Sequence, residues 1–174
     1  KLTNWNSQIL IAVKSGKCIR FEENKTRPMG RNASGVRGVR LKDQKDEVVG
    51  MISVNDMDSD ILVVSENGYG KRSKLEDYRI TNRGGKGVKT ISITEKTGNL
   101  VSLKNVSDGD DLMIINKSGI AIRMEVNTLR VMGRATQGVR LINIKDNDSI
   151  AAVAKVVLDD QEVTDIEEID VVED

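Results

Sequence analysis

Histidine is absent from this sequence, and cysteine occurs once, as Cys18. These scarcities exclude zinc sites built on Cys/His clusters, Ser-His and Cys-His nucleophile pairs, and an internal disulfide. A lone thiol inside the alternating run Lys17-Cys18-Ile19-Arg20-Phe21 reads as a small residue in a strand. Aromatics are almost as scarce: only Trp5, Phe21, Tyr69 and Tyr78 occur. The core must therefore be aliphatic, and a stacking platform for single-stranded nucleic acid is excluded. No apolar run approaches the ~20 residues of a membrane span. Lys1 to Trp5 has no signal-peptide character, and the whole fits a reducing cytoplasm. A hydrophobic content of 38% is nonetheless ample for a folded chain of 174 residues.

A formal net charge of zero conceals an asymmetry. Residues 159–174 hold nine acidic residues and no basic one, so the preceding 158 residues carry a surplus of nine positive charges. A terminal acidic run is commonly a solvated tail. Beside a cationic body it also competes for whatever surface an anionic ligand would occupy.

What the sequence does have is a repeat. ILIAVKSGKCIRF from Ile9 aligns with ILVVSENGYGKRS from Ile61 and LMIINKSGIAIRM from Leu112, at offsets of 52 and 51 residues. The same offsets align Gly16, Gly68 and Gly119, and also Gly35, Gly87 and Gly138. Each copy begins with an apolar run, a turn ending in glycine (Ser15-Gly16, Asn67-Gly68, Ser118-Gly119) and a second short run. This pattern predicts a hairpin with both turn residues at positive φ. A loop of about a dozen residues leads to a third run (Val36 to Leu41, Val88 to Ile93, Val139 to Ile144). A fourth run closes the unit (Val48 to Val54, Leu100 to Val106, Ile150 to Val156). No segment has helical periodicity over the ~11 residues of an ordinary helix.

Four antiparallel strands per roughly 50 residues suit a propeller blade, or a duplicated β-sandwich; the shared glycine framework favours blades. The expected fold is all-β and propeller-like, with blades at 7–56, 57–107 and 108–158 and an acidic, disordered C-terminal tail at 159–174. Residues 1–6 read as the end of a preceding unit, with Leu2 and Thr3 closing its last strand. Because three blades fall short of the ~4 to 8 that close a ring, the chain reads as a fragment.

Four columns of basic residues recur in register: Arg20, Arg72 and Arg123; Arg27, Arg79 and Arg130; Arg31, Arg83 and Arg134; Arg37, Lys89 and Arg140. Only one acidic column, Asp43, Glu95 and Asp146, matches as cleanly, which argues against salt bridges within each unit. Cations at unit intervals predict a positive stripe around a rim. Such a stripe suits duplex DNA, read by its backbone and its deformability and not by its bases. The stretch TNRGGKG (81–87) could by itself be a plain turn or a phosphate-holding loop. Its position, level with GRNASG (30–35) and GRATQG (133–138), favours a phosphate contact through Arg83, Gly84, Gly85 and Lys86.

GVRGVRL, NGYGKRS, the repeated Gly-Arg-x-x-x-Gly-Val and the acidic end together resemble the C-terminal domain of bacterial DNA gyrase A, over essentially the whole chain. The resemblance implies a β-pinwheel, with strands exchanged between neighbouring blades and DNA wrapped on its perimeter. It implies further blades upstream, and as partners double-stranded DNA and the gyrase A and B subunits in an A2B2 holoenzyme that supercoils DNA with ATP. Arg83, Gly84, Gly85, Lys86 and Gly87 match the family's signature loop, whereas Thr81 and Asn82 do not, so TNRGGKG reads as a related loop in a later blade. The acidic end resembles the modulatory tail of some members. No catalytic residue, metal or cofactor is expected here. Tyr69 and Tyr78 have no carboxylate cluster beside them, and NGYGKRS lacks the glycine spacing of a P-loop. The topoisomerase IV C-terminal domain and a protein-docking propeller are the alternatives.

Overall fold

A computed structural model describes residues 3–145 and 147–156. The acidic segment 159–174 and Asp146, the third member of the acidic column, lie outside the described residues, as do Lys1 and Leu2. Eleven β-strands and three single-turn 3-10 segments make up the described chain. The first unit contributes β1 (Gln8–Val13), β2 (Lys17–Glu22) and β3 (Val48–Val54). The second contributes β4 (Asp60–Ser65), β5 (Tyr69–Lys74), β6 (Val88–Lys89) and β7 (Leu100–Val106). The third contributes β8 (Asp111–Asn116), β9 (Ala121–Glu125), β10 (Val139–Arg140) and β11 (Ile150–Val156). Thr3 to Ser7 form no strand, so the strand end expected there is absent from the described part.

Each hairpin turns on glycine alone. Gly16, Gly68 and Gly119 have φ of +79°, +78° and +88°, while Ser15, Asn67 and Ser118 stay outside the left-handed region. In the first two hairpins three residues intervene between the strands, and the glycine amide donates to Val13 O or Ser65 O. This is the three-residue hairpin loop, in which one left-handed residue suffices, and not the expected two-residue turn.

The third run is where the sequence expectation and the structure part. It is not a strand of its own unit. β6 pairs with β2 of the preceding unit (Lys17 opposite Lys89, Cys18 opposite Val88), and β10 pairs with β5 (Tyr69 opposite Arg140, Gly70 opposite Val139). The sheets are therefore ordered β3-β1-β2-β6, β10-β5-β4-β7 and β11-β8-β9. Val36 to Leu41 forms no strand, and the third sheet has three strands. Exchange follows from the need to pair backbone polar groups. The outer edge of a hairpin exposes unpaired N–H and C=O groups, and in the first two units a short extended segment from the next unit satisfies some of them.

Two-residue alternation places the core. Leu10 and Ala12 on β1 face Ile61 and Val63 on β4, whereas Leu62 and Val64 on the opposite face of β4 pack against Leu112 and Ile114 of β8. β4 is buried along its whole length, as a strand between two packed sheets must be. Each such fully buried aliphatic side chain contributes about 1.5–3 kcal/mol. Among the described residues no helix is long and apolar enough to cross a membrane.

Unit-to-unit docking leans on two further groups. Gly87 (φ +69°) and Gly138 (φ +83°) lie so close to the preceding unit that a Cβ would meet Cys18 O at 2.6 Å and Gly70 O at 2.5 Å. Gly35, at the same position of the first unit, has nothing within 4 Å. Lys71 is fully buried on β5, at a position occupied by Ile19 and Ile122 in the other two units. Its Nζ donates to Gly133 O at 2.5 Å and Thr136 Oγ1 at 3.2 Å, fastening the loop of the third unit onto the second. Burial brings its pKa from 10.5 down to about 8; Asp77 acts against this and Arg134 with it.

Gly138→Ala is expected to destabilise the fold by about 2 kcal/mol or more, from clash added to left-handed strain, and Gly35→Ala by about 1 kcal/mol from strain alone. Equal losses in urea unfolding would contradict the docking role. Below pH 8 the folded and unfolded states both carry the Lys71 proton, and the cost of burying the charge is fully present. Between pH 8 and 10.5 the unfolded chain holds more protons, so the Lys71 contribution to stability rises with pH. Lys71→Ile should raise stability at pH 7 by about 1 kcal/mol and flatten that rise, as read from unfolding curves across pH 7–10.5.

Candidate nucleic-acid interface

The four basic columns occupy two different environments. In the first column, Arg20 and Arg72 are structural, which corrects their expected place on an open binding surface. Arg20 and Arg72 are buried, each with about 8% of its surface exposed. Arg20 donates from Nε to Gln8 Oε1 at 2.7 Å and from Nη1 to Leu75 O and Tyr78 O at 2.6 and 2.9 Å. Those carbonyls belong to the 3-10 turn Leu75–Asp77 of the next unit and its C-cap; Leu75 O also accepts from Tyr78 N, so the guanidinium gives it a second donor and supplies the donor of Tyr78 O. Arg72 repeats this on Leu129 O and pairs with Asp60 and Asp108. Arg123 pairs with Asp111 at 2.6 Å and stays half-exposed. Partner groups do recur with this column, as Gln8, Asp60 and Asp111. The signal was available as a constant spacing of twelve residues, which the hairpin register turns into neighbours on one face.

The other three columns have no ion pair with any described carboxylate. Arg27, Arg79 and Arg130 are exposed and make no side-chain hydrogen bond among the described residues. Arg83 donates to Lys25 O at 3.0 Å and Arg37 O at 3.2 Å, and Arg134 donates to Asp77 O at 2.9 Å and Lys89 O at 2.7 Å. A guanidinium has five N–H donors, so each keeps three for another acceptor. Arg31, in the first unit, is exposed and makes no such bonds among the described residues. In the fourth column Arg37 and Lys89 are exposed or nearly so, while Arg140 bonds the Tyr69 hydroxyl at 2.9 Å and lies 5.5 Å from its ring centre. The Arg140 hydrogen bond holds the Tyr69 phenol below its usual pKa.

Columns three and four thus meet across each unit boundary. Arg83 rests on the backbone of Arg37, and Arg134 on that of Lys89. At equivalent places a guanidinium is held through neutral carbonyls on the backbone of another basic residue. Like charges held together without a counter-charge form a surface whose repulsion an anion relieves.

In the glycine loop one of the expected phosphate contacts is engaged elsewhere. Gly84 N donates to Gly38 O at 2.6 Å and Gly85 O accepts from Arg40 N at 2.8 Å, so the loop is laced to the preceding unit. The Gly84 amide is committed there and is not open to a phosphate. Lys86 remains exposed on the same loop. Lys17, Arg40 and Lys42, which no repeat column flagged, lie close by and line a common pocket with Lys86.

The family model for the DNA gyrase C-terminal domain, beta-propeller, matches residues 8–55, 59–107 and 110–156. The DNA gyrase A protein of Staphylococcus aureus (strain MRSA252) is 46% identical over 176 residues, covering all of this chain and 20% of that protein. Its counterpart from strain NCTC 8325 / PS 47 is 46% identical over 170 residues, 97% of this chain and 19% of that protein. This chain therefore spans about a fifth of the length of these curated relatives. Among solved structures, a DNA gyrase A C-terminal domain superposes with a TM-score of 0.80 at 28% identity, over 89% of this chain and 52% of that one. A DNA topoisomerase IV C-terminal domain superposes with a TM-score of 0.84 at 21% identity, over 90% and 49%, a likeness of fold. With its family model matched in all three repeats, strands exchanged between units and near-half identity to gyrase A proteins, the chain belongs to the DNA gyrase C-terminal domain family.

Proposed function

We propose that this chain binds duplex DNA through its phosphate backbone, along a basic rim built from the second, third and fourth columns, and wraps the duplex as it does so. The carrying observation is the meeting of Arg83 with Arg37 and of Arg134 with Lys89 across successive boundaries, with no described carboxylate paired to them. Guanidinium forks match phosphate oxygens, and repetition spreads the contacts along an arc. Bending 20–30 bp by 40–90° costs of order 1–6 kcal/mol, which distributed contacts offset. Among the described residues no helix presents side chains to a major groove, so recognition is by charge and deformability.

In this reading the chain is the DNA-wrapping part of a bacterial, cytoplasmic DNA gyrase, working with the remainder of gyrase A and with gyrase B in an A2B2 assembly. Strand cleavage and ATP use belong to other parts of that type II topoisomerase, and this chain contributes no catalytic group and needs no cofactor. The kinship with gyrase A proteins supports the assignment.

Replacing Arg27, Arg79 and Arg130 by Gln should weaken binding to every duplex alike and make the log K against log salt slope shallower by about 3, since each phosphate contact contributes ~0.9. A mobility-shift titration over several salt concentrations reads both, and an unchanged slope would refute the rim. A docking module for an acidic protein would ignore DNA throughout. Ligation of relaxed plasmid in the presence of the chain should trap shifted topoisomers, the direct sign of wrapping. Removing residues 159–174 deletes nine acids and should tighten duplex binding at low salt; unchanged affinity would make that segment a bystander.

A further inference from the structure

The two unit boundaries are built to one plan but carry different charge. At the second, equivalent positions satisfy one another: Arg140 bonds Tyr69, its partner across the β5–β10 ladder, and Gln137 donates to Thr94 Oγ1 at 3.0 Å. At the first, the matching positions are Lys89 opposite Lys17 in the β2–β6 ladder, and Lys86 beside Lys42. Ser92 at the second boundary corresponds to Arg40 at the first. Two hydrogen-bonded pairs are thus replaced by pairs of lysines, and like charges directly opposite each other in a ladder, as Lys17 and Lys89 are, are destabilising.

Lys17, Arg40, Lys42 and Lys86 line a pocket of about 150 Å3. It shares Ser15, Lys42 and Asp46 with a neighbouring pocket of about 600 Å3, which Lys89 also lines. The carboxylate within reach, Asp46, is buried and engaged elsewhere. It accepts from Ser15 N, Ser15 Oγ and Lys42 N at 2.8–2.9 Å. Burial raises its pKa, but those hydrogen bonds outweigh the effect and hold it below the ordinary value. Asp43, on the larger pocket, accepts from Lys45 N at 2.8 Å. Lys17, Arg40, Lys42, Lys86 and Lys89 therefore line two adjoining pockets whose two lining carboxylates, Asp46 and Asp43, both accept from backbone amides, and what would complement these cations is an anion with several acceptor oxygens.

We propose that Lys17, Arg40, Lys42, Lys86 and Lys89 form a phosphodiester-binding pocket, so that the first unit boundary grips the duplex harder than the second. This rests on the DNA-binding reading and adds an inequality to it. The wrap is anchored at one boundary and merely guided at the other.

The test exchanges the boundaries. Lys17→Tyr, Arg40→Ser, Lys42→Thr and Lys86→Gln together install residues with which this chain already folds at its second boundary, so a folded variant, checked by unfolding, is expected. Binding to a short duplex should weaken about tenfold or more at low salt, with the salt slope shallower by about 3–4. The reciprocal graft, Tyr69→Lys, Ser92→Arg, Thr94→Lys and Gln137→Lys, should steepen it. If neither set changes the slope while the Arg27, Arg79 and Arg130 variant does, the pocket is refuted and the rim stands; if none of the three changes it, both readings fall. Amide shifts at Gly85 and Lys86 should follow added duplex and not inorganic phosphate at matched ionic strength. Saturation by inorganic phosphate alone would overturn the phosphodiester assignment in favour of a free-anion site.

Discussion

The pairing of a short strand from one unit with the open hairpin edge of the unit before it is the contact on which the other features depend. It is small, two residues on each side in β6–β2 and β10–β5. It works because glycine lets the backbones meet, Gly87 against Cys18 and Gly138 against Gly70. Once this docking is made, the next 3-10 turn comes within reach of Arg20 or Arg72, and the following loop lies where Arg83 or Arg134 can bond the preceding chain. Remove the docking and neither the core between sheets nor the juxtaposed cations would have a fixed geometry.

Arginine serves two opposed purposes in this arrangement. Where it is buried, as at Arg20 and Arg72, it bonds backbone carbonyls at the turn of the next unit together with Gln8, or with Asp60 and Asp108. Where it is held by carbonyls alone, as at Arg83 and Arg134, the bonds orient the guanidinium without neutralising it. A side chain positioned by neutral acceptors retains its field, and its remaining donors are prearranged for an anion. The first boundary carries this further than the second, where tyrosine, threonine and glutamine take over the sites of three lysines.

Much of this was legible in the residues. Repeat length, strand content and the glycines of the turns followed from register and alternation, and strand exchange followed from the family resemblance. The environment of the first basic column was only partly legible: its twelve-residue spacing to Gln8, Asp60 and Asp111 sets it apart from the other columns, but burial against Leu75 O and Tyr78 O of the next unit follows only from the fold. The glycine-rich loop departs from its expected role in one respect. Its composition allows a bare amide nest, but Gly38 of the preceding unit claims the Gly84 amide first. Lys17, Arg40 and Lys42 escaped notice because none of them recurs in all three copies, and a search for repeated columns discards what differs between copies.

The sequence by itself determined the all-β character, the three-fold repetition and the surplus of positive charge before residue 159, since these depend on periodicity and composition along one chain. Tertiary structure alone decided which cations are spent inside the fold and which stand together at its surface. Charge interactions depend on separation and burial, and a hairpin edge receiving a strand from the next unit sets both at once, between residues some 45 to 72 positions apart.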